Sequence, residues 1–425
     1  MLFDRLFQEE LMALLAMDSV TPMETGLAVD LAAANGAFAA LAKRVGMRVR
    51  YNGPGSLDGA EPSNIPLSVQ RRAGAMPDFF EGQPNLVLEI GEGGPDRTVM
   101  FNFHMDTVSP HLPASRDGDV IRGRGAVDNK GPGVAVLAAL DRLREERPEL
   151  LRKLRVLIQS VSGEEGGAMG VYGTRHLVSL GHVGRLNVFV EPTQGRYFDA
   201  STCSMTFEVA FDGAGSTDDF PERGDNATVA LGFIAQSMAA RLAVVCERIG
   251  MKLTVAGLHT GLQHNRVYGE GRLLLNLAYT TQAAGLVAIG EVESAFVAAR
   301  ETFVREFGSR PVFARTASRL RETCKASWLK AGLPVLNNRD AEMEAVLAGI
   351  GLHRNEELSE SFTCDAIWAQ APGRYSIVFG PGSLADNGAH TAGEHVHLAE
   401  LEEFSQAVLR LLIAFATTPS STPPN

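Results

Sequence analysis

The sequence predicts an α/β protein in which a mostly parallel sheet, flanked by helices, is interrupted by an inserted α+β domain. Two observations predict this fold class. From about residue 86, strand-like and helix-like segments alternate, and strands joined by crossover helices form a parallel sheet that is covered on both faces. Between about residues 205 and 325 the pattern changes, and it then returns. A length of 425 residues also exceeds what one hydrophobic core usually supports.

The first part of the sheet-containing domain is assigned from its hydrophobic periodicity. It begins with an amphipathic helix in MLFDRLFQEELMALLAM, and residues 52–63 are expected to form a loop. Strands are predicted at residues 85–90, 98–103, 154–161 and 187–190, and helices at 131–147 and 171–180. Ligand-type side chains that follow these strands are therefore expected at one edge of the sheet.

The insertion begins with a segment that alternates like a half-exposed strand. Its strands are predicted at residues 205–211, 252–258 and 272–279, and its two long helices at 226–249 and 285–307. A strand at 375–379 and a helix at 398–416 return to the earlier pattern, and the tail TTPSSTPPN is expected to be a frayed terminus. Because residues 310–333 have the least clear pattern, the return boundary is approximate. We assign residues 1–204 and 326–425 to the sheet-containing domain and 205–325 to the insertion.

The composition excludes several classes of partner. A net charge of −11 and a pI near 5.5 argue against nucleic acid and against anionic membranes, so a small-molecule substrate is expected. The four cysteines are widely spaced without a C-x-x-C pair, which favours a reducing compartment. The N-terminus lacks the features of a signal peptide, and no apolar run approaches the ~20 residues that span a bilayer. We therefore expect a cytoplasmic protein without a membrane partner.

A histidine and an aspartate follow the predicted strand at 98–103. Residues two apart in a strand point to the same side, so the Asp106 carboxylate is expected to accept the second ring proton of His104 and to fix its tautomer. Alone, the H-x-D pattern is weak, because a histidine whose hydrogen bonds are satisfied in a turn has the same signature.

A third candidate, Asp128, lies in the glycine-rich loop GRGAVDNKGP just before a helix. The loop resembles a dinucleotide-binding turn, but no strand leads directly into it and the third glycine is absent. A carboxylate in such a loop is suited to bridging two cations. A helix-capping aspartate is the alternative.

The remaining candidates also follow strands. Glu164 and Glu165 are adjacent carboxylates, which repel each other unless cations neutralise them or one holds a proton. One of them could bind a metal while the other faces the water to be activated. Glu191 ends the strand-like NVFVEP, and His390 lies in GAHTAGEHVH. A helix is expected to begin near Thr391 and to direct the later histidines of that segment, His395 and His397, away from the site.

Five motifs in this order, FNFHMDTV, GRGAVDNKGP, SGEEGG, VEPT and GPGSLADNGAHTAGEHV, carry a family resemblance. The chain resembles the aminoacylase and glutamate carboxypeptidase family of dinuclear metallohydrolases, which includes acetylornithine deacetylase and succinyl-diaminopimelate desuccinylase. The resemblance covers most of the chain. It implies that the sheet-containing domain is catalytic and that the insertion is a lid that also forms a homodimer.

The resemblance implies a ligand role for each metal-binding side chain. Asp128 would bridge two divalent ions. One ion would also be bound by His104 and Glu191, and the other by Glu165 and His390. Mixed nitrogen and oxygen ligands suit zinc, although manganese or cobalt would also fit.

The resemblance also implies the catalytic roles. Glu164 would be the general base, Asp106 would be the partner of His104, and the Asp128-Asn129 peptide would be cis. Two divalent ions lower the pKa of a shared water toward ~7, so that Glu164 can take its proton and return it to the leaving nitrogen.

The insertion departs from the family pattern at two places. Relatives carry a G-x-x-x-H histidine that stabilises the oxyanion in the partner's active site, whereas FDGAGSTDDFPERGDNA has Ser216 or Thr217 there. Relatives also commonly carry an arginine for the substrate carboxylate in the strand that is here RLLLNLAYTT. At the corresponding positions this chain has Asn276, Ala278 and Tyr279. The asparagine of the preceding N-x-V turn is present as Asn265, which is either a substrate contact or a turn-forming residue, and His264 beside it could replace the lost histidine.

These departures leave three functions open. Hydrolysis of an amide, in an N-acyl amino acid or a peptide-like substrate, is the first. The second is release of ammonia from an activated aromatic amine, as in 5-nitroanthranilate aminohydrolases. There an oxyanion donor, worth roughly 3–4 kcal/mol in amide hydrolysis, is needed less. Arg374, Arg266 or Tyr279 would then bind the acidic group of the substrate. The third is a catalytically silent relative that binds a ligand.

Overall fold

The structure, a computed structural model, describes residues 1–357 and 360–418 of the chain. It divides into a larger unit, Met1–Ser201 with the chain from Leu336 onward, and a smaller unit, Thr202–Val335. The smaller unit therefore extends beyond the expected boundary at residue 325. Of the expected frayed tail, residues 419–425 lie outside the described residues.

The described secondary structure alternates strands and helices along both units. The strands are β1 Arg48–Gly53, β2 Asn85–Gly91, β3 Thr98–His104, β4 Ser115–Asp117, β5 Val120–Arg122, β6 Arg155–Val161, β7 Leu186–Phe189, β8 Cys203–Asp212, β9 Ser216–Thr217, β10 Lys252–His259, β11 Arg266–Val267, β12 Glu270–Tyr279, β13 Cys324–Lys330, β14 Tyr375–Val378 and β15 His395–His397. The α-helices are α1 Arg5–Leu15, α2 Pro22–Thr25, α3 Ala32–Arg44, α4 Leu67–Ala75, α5 Lys130–Glu146, α6 Thr174–Ser179, α7 Ala227–Ile249, α8 Gln282–Phe307, α9 Pro311–Thr323, α10 Ala341–Gly349 and α11 Leu398–Thr417. Short 3-10 helices are Pro62–Asn64, Pro95–Arg97, Pro148–Arg152, Pro221–Arg223 and Asp365–Trp368.

The larger unit is built on a six-stranded sheet in the order β1-β2-β6-β3-β7-β14. Strands β6, β3, β7 and β14 are parallel, whereas β2 runs antiparallel to both of its neighbours. The predicted α/β class with a mainly parallel sheet is confirmed. His104 at the end of β3 pairs with Val161 at the end of β6, so these two strands end at the same edge.

Helices cover the sheet of the larger unit and form its core. Helix α5 buries twelve of its seventeen residues, because it lies beneath α1 and α11 as well as against β3. The Ser405 hydroxyl of α11 donates to the carbonyl of Ala135 in α5 at 2.9 Å. The helix expected to begin near Thr391 is absent from this described segment. Instead, β15 pairs with β5, and α11 begins only at Leu398.

The smaller unit has an antiparallel sheet in the order β10-β12-β8-β13, with α7 and α8 packed against it. The segment at 310–333 resolves into α9 and β13. Because β13 pairs with β8, with Trp328 opposite Phe207, this strand belongs to the insertion rather than to the returning domain.

Two helices of the smaller unit, α7 and α8, are long and apolar enough to span a bilayer by length and composition alone. Each buries a stripe of side chains within the unit, among them Leu231 and Ile234 in α7 and Val292 and Phe303 in α8. A core helix of a soluble protein has the same properties. The two helices are therefore weak support for a membrane span.

Candidate metal centre

His104 is buried at the end of β3, and its ring is oriented by the main chain. Its Nδ1 donates to the backbone carbonyl oxygen of Asp106 at 2.8 Å, whereas the Asp106 carboxylate lies 4.0 Å from this nitrogen. The expected bond from the ring to that carboxylate is therefore wrong. The carboxylate instead accepts the backbone N–H groups of Glu165 at 3.1 Å and Glu164 at 3.5 Å. Asp106 thus fixes the His104 tautomer with its carbonyl and holds the glutamate turn with its side chain.

Asp128 faces both candidate histidines. Its Oδ1 lies 2.9 Å from Nε2 of His104, and its Oδ2 lies 3.0 Å from Nε2 of His390. The Asp128-Asn129 peptide is cis, which confirms the prediction made for it. The two oxygens of one carboxylate are therefore directed at two different imidazole rings.

One glutamate accompanies each ring. Oε1 of Glu165 lies 3.1 Å from Nε2 of His390, and Oε1 of Glu191 lies 3.8 Å from Nε2 of His104. The Asn129 amide donates to Glu191 Oε1 at 3.0 Å and so orients that carboxylate. Each histidine thus faces one Asp128 oxygen and one glutamate oxygen.

His390 is the most exposed of these side chains, at 52%, and its backbone is left-handed with a φ of 62°. A non-glycine residue in this region costs of order 1–3 kcal/mol and persists only where neighbouring contacts hold it. The turn before His390 is fixed by Asn387, whose side chain accepts the N–H of Ser383 at 2.7 Å and donates to Glu400 at 2.9 Å. The tight turn before His390 is therefore anchored to the start of α11.

The electrostatics of the site link the carboxylates to the imidazoles. Burial alone would lower the pKa of His104, but the hydrogen bond and charge of Asp128 raise it well above its usual range. Hydrogen bonds with Asp128 and Glu165 raise the pKa of His390 to about 11. Burial would raise the pKa of Asp128, but the two histidines lower it below its usual range. Positive charge at these ring positions is strongly favoured.

The other carboxyl groups are driven toward the neutral form. Burial, followed by the charge of Glu165, raises the pKa of Glu164 well above its usual range. Burial also raises the pKa of Glu165 and that of Glu191. Such a concentration of buried carboxylates is unfavourable unless cations neutralise it or the groups take up protons.

The residues present fit divalent cations. A ring nitrogen that faces two carboxylate oxygens can direct at most one hydrogen toward them, whereas a cation can accept lone pairs from all three atoms. Ligand atoms of His104, Asp128 and Glu165 lie within 4.8 Å of one another. Imidazole nitrogen with carboxylate oxygen is a ligand set used for zinc, and a carboxylate-rich shell also suits manganese.

A further buried carboxylate, Asp365, was not predicted from the sequence. Its Oδ2 accepts the hydroxyl of Thr174 at 2.5 Å, and burial raises its pKa to about 7. Its charge also contributes to the raised pKa of Glu164 and that of Glu191. It starts a 3-10 helix rather than following a strand, so no periodic signal singles it out.

Two of the expected substrate contacts are wrong. Tyr279 is fully buried in the smaller unit, and its hydroxyl donates to the carbonyl of Leu333 at 2.6 Å. Arg374 immediately precedes β14. Tyr375, the first residue of β14, pairs with Leu186 of β7, and Leu186 pairs in turn with Val99 near the start of β3. About five residues of strand, roughly 17 Å, separate that level from His104. Arg374 therefore lies toward the opposite edge of the sheet.

Of the other three expected contacts, His264 and Asn265 are exposed in the smaller unit just before β11, and Arg266, which begins β11, is exposed as well. Strand β11 pairs with β9, so that Thr217 lies opposite Arg266. The position where relatives carry the lid histidine is thus adjacent to the His264 turn. Asn276 is half-buried, and its side-chain oxygen accepts the Thr206 hydroxyl at 3.0 Å.

The chain is similar in sequence to known peptidases and to a probable desuccinylase. Residues 100–414 match the model of peptidase family M20/M25/M40. A "Probable carboxypeptidase" of Ajellomyces capsulatus is 28% identical over 220 residues, which is 49% of this chain and 46% of that protein. A "Probable succinyl-diaminopimelate desuccinylase" of Staphylococcus aureus is 29% identical over 158 residues, which is 35% of this chain and 37% of that protein.

The fold is shared with solved structures. The dinuclear metal-binding peptidase YxeP of Bacillus subtilis, from the same family, has a TM-score of 0.56 and 12% identity over 96% of this chain and 98% of that one. The sequence matches are shorter, since the chain spans about half or less of the length of the curated relatives it matches, between 18% and 51% for three of them.

Proposed function

The chain belongs to peptidase family M20/M25/M40, and we propose that it is a dinuclear metal-dependent hydrolase that cleaves an amide C–N bond. The substrate class is a small N-acyl amino acid or a peptide. One observation carries the proposal, namely that the two oxygens of Asp128 face the His104 and His390 rings at 2.9 and 3.0 Å. The relatives named above as a probable carboxypeptidase and a probable desuccinylase both act, by those names, on amide bonds.

Five side chains would hold the two ions. Asp128 would bridge them, with His104 and Glu191 completing one group and His390 and Glu165 the other. The distances of 2.9 to 3.8 Å between the facing ligand atoms support this grouping. Zinc is the first candidate, and manganese or cobalt would also suit the carboxylate-rich ligand set.

Glu164 would move the proton in this reaction. Bound divalent ions would lower the pKa of a water molecule toward ~7 and polarise the substrate carbonyl. Glu164 would take one proton from that water as its oxygen bonds to the carbonyl carbon, and would give the proton to the nitrogen as the C–N bond breaks. Asp106 would keep Glu164 in place, since its carboxylate accepts the backbone N–H groups of Glu164 and Glu165.

Substrate recognition would fall to the smaller unit. We propose His264 as the oxyanion donor in place of the histidine that relatives carry near Ser216 or Thr217, with Asn265 beside it as a substrate contact. The pairing of Thr217 with Arg266 supports this, because it makes the two positions neighbours. His264→Ala should lower kcat by roughly 100- to 1,000-fold on an amide substrate, since this is what one oxyanion donor contributes.

The absence of a histidine at Ser216 or Thr217 favours a second candidate function. This function is the release of ammonia from an activated aromatic amine such as 5-nitroanthranilate. Charge would then spread into the ring, and an oxyanion donor would matter less. In that case His264→Ala would leave kcat nearly unchanged.

We also propose a homodimer formed through the smaller unit. Strand β10 is an edge strand of its sheet, and it exposes the apolar side chains of Val255 and Leu258 at 46% and 45%. Apolar edge strands of this kind readily pair with another chain. Analytical ultracentrifugation at micromolar concentration should give a dimer, and a monomer throughout that range would refute the proposal.

The proposed function is tested by metal content together with a substrate screen. Elemental analysis of protein purified under mild conditions should give up to two divalent ions per chain, and Asp128→Ala should lose both. The control is Asp141→Ala, which removes a surface carboxylate paired with Arg144. The screen compares acylated amino acids, dipeptides and aminobenzoates by amine or ammonia release. Full metal content in Asp128→Ala would refute the bridging role, and no turnover in any class would favour a silent ligand-binding relative.

A further inference from the structure

A buried ion pair lies behind the candidate metal centre. The guanidinium of Arg124 donates through Nη1 to Oε2 of Glu394, and the two side chains are only 2% and 0% exposed. Burying two charges is costly, and it is tolerated only where geometry and further hydrogen bonds compensate. None of the roles proposed above uses this pair.

The pair connects three segments that carry candidate ligands. Glu394 Oε1 accepts the N–H of Gly125 at 2.8 Å and that of Asp128 at 3.4 Å. Arg124 Nε donates to the carbonyl of Pro110 at 3.2 Å, in the segment that follows His104 and Asp106. Glu394 itself lies four residues after His390.

The backbone reinforces this connection. The N–H of Gly123 donates to the carbonyl of Glu394 at 3.2 Å, and the next residue, His395, pairs with Arg122 in the β15–β5 ladder. The His395 N–H also donates to the carbonyl of Asn387, in the turn before His390, at 3.0 Å. The Asp128 loop and the His390 segment are therefore tied together by both main chain and side chain.

We propose that Arg124 and Glu394 are positioning residues that hold the three ligand segments in register, so that Asp128 can serve both metal positions at once. The inference rests on the proposed function, because it concerns the same two ions. Partners that orient metal ligands commonly change metal affinity by 10- to 100-fold when they are removed.

The charge of Glu394 is essential to this arrangement. The second terminal nitrogen of Arg124, Nη2, is buried and has no hydrogen-bond partner in the described part of the chain. Glu394 is therefore the group that compensates the guanidinium. In Glu394→Gln a buried positive charge would remain beside the loop, and two backbone N–H groups would share a weaker acceptor.

A matched control separates positioning from general stability. Glu89 is also buried, at 2% side-chain exposure, and it pairs with Arg50 at 2.7 Å and with Arg48, two arginines that are themselves 44% and 77% exposed. It lies on β2 opposite Leu157, four residues before the end of β6. Glu89→Gln should therefore lower stability without affecting the ligand segments.

The test is a titration of the metal-free folded protein with cobalt(II), followed by visible absorption, which reports both affinity and ligand geometry. Glu394→Gln should bind roughly 10- to 100-fold more weakly than wild type with an altered spectrum, whereas Glu89→Gln should match wild type. Unchanged affinity and spectrum in Glu394→Gln, or equal weakening in Glu89→Gln, would overturn the inference.

A second variant covers the case in which Glu394→Gln does not fold. Arg124→Met combined with Glu394→Gln leaves no uncompensated charge, so it should fold, yet it still lacks the bond to Pro110 and should bind cobalt weakly. Wild-type affinity in this double variant would overturn the inference. Absence of cobalt binding in the wild type would instead overturn the proposed function, and with it the inference.

Discussion

The neighbouring glutamates Glu164 and Glu165 allow a sharp test, because the same substitution is expected to have different effects at the two positions. Glu164→Gln should lower kcat by roughly 100- to 10,000-fold, the usual contribution of a general acid–base group, while metal content stays unchanged. This corresponds to roughly 3–5 kcal/mol in the barrier. Glu165→Gln should instead lose metal, because its carboxylate lies 3.1 Å from Nε2 of His390 and would provide one of three ligand groups at that position.

Both variants should keep the local backbone. The N–H groups of Glu164 and Glu165 donate to the Asp106 carboxylate, and neither substitution changes these groups. The assay measures kcat on the substrate found in the screen, together with metal content per folded chain by elemental analysis. If Glu164→Gln retained wild-type kcat, or if it lost metal as Glu165→Gln does, the assignment of the two roles would be wrong.

Four further predictions follow from the structure. Tyr279→Phe should lower the free energy of unfolding by roughly 1–3 kcal/mol in urea, because the buried carbonyl of Leu333 loses its donor, while KM stays unchanged. Arg374→Ala should also leave KM unchanged, and a large rise in KM would contradict its place near the opposite edge of the sheet. Burial raises the pKa of Asp365 to about 7, above its unfolded value of ~3.9. The metal-free protein should therefore lose stability as the pH rises from about 4 to 7. In urea melts across this range, the free energy of unfolding should fall less in Asp365→Asn than in the wild type. Val255→Asp should shift the proposed dimer toward monomer in ultracentrifugation, and an unchanged sedimentation coefficient would exclude β10 from the interface.

Much of the larger unit could be predicted because its ligand-type residues follow strands of a parallel sheet. The carboxyl ends of parallel strands meet at one edge, so the side chains after β3, β6 and β7 had to lie close together. The partner of the His104 ring could not be predicted in this way. Whether a carbonyl or a carboxylate of Asp106 faces the ring depends on the backbone angles of the turn after the strand, and a two-residue spacing does not determine them.

The errors have identifiable physical causes. Leu273, Leu275, Leu277 and Tyr279 alternate on one face of β12, and this pattern already indicates that Tyr279 belongs to the core. Arg374 precedes its strand, whereas the ligand-type residues follow theirs. Strand β13 carries charged and polar residues, and only its non-local pairing with β8 reveals it.

The smaller unit shows how the histidine that donates to the oxyanion could change its position in the sequence while staying at the same place in the fold. Thr217 and Arg266 are 49 residues apart in sequence, yet they face each other across the β9–β11 ladder. His264 lies two residues before Arg266, and two residues of extended chain span roughly 7 Å. A histidine lost from one strand can therefore be replaced from its neighbour, whereas the ligand set of the larger unit has no such freedom, because each of its side chains must lie within about 3–4 Å of another. Under the proposed function, the hydrolytic chemistry would then be set by the larger unit, and the choice of substrate by the less constrained smaller one.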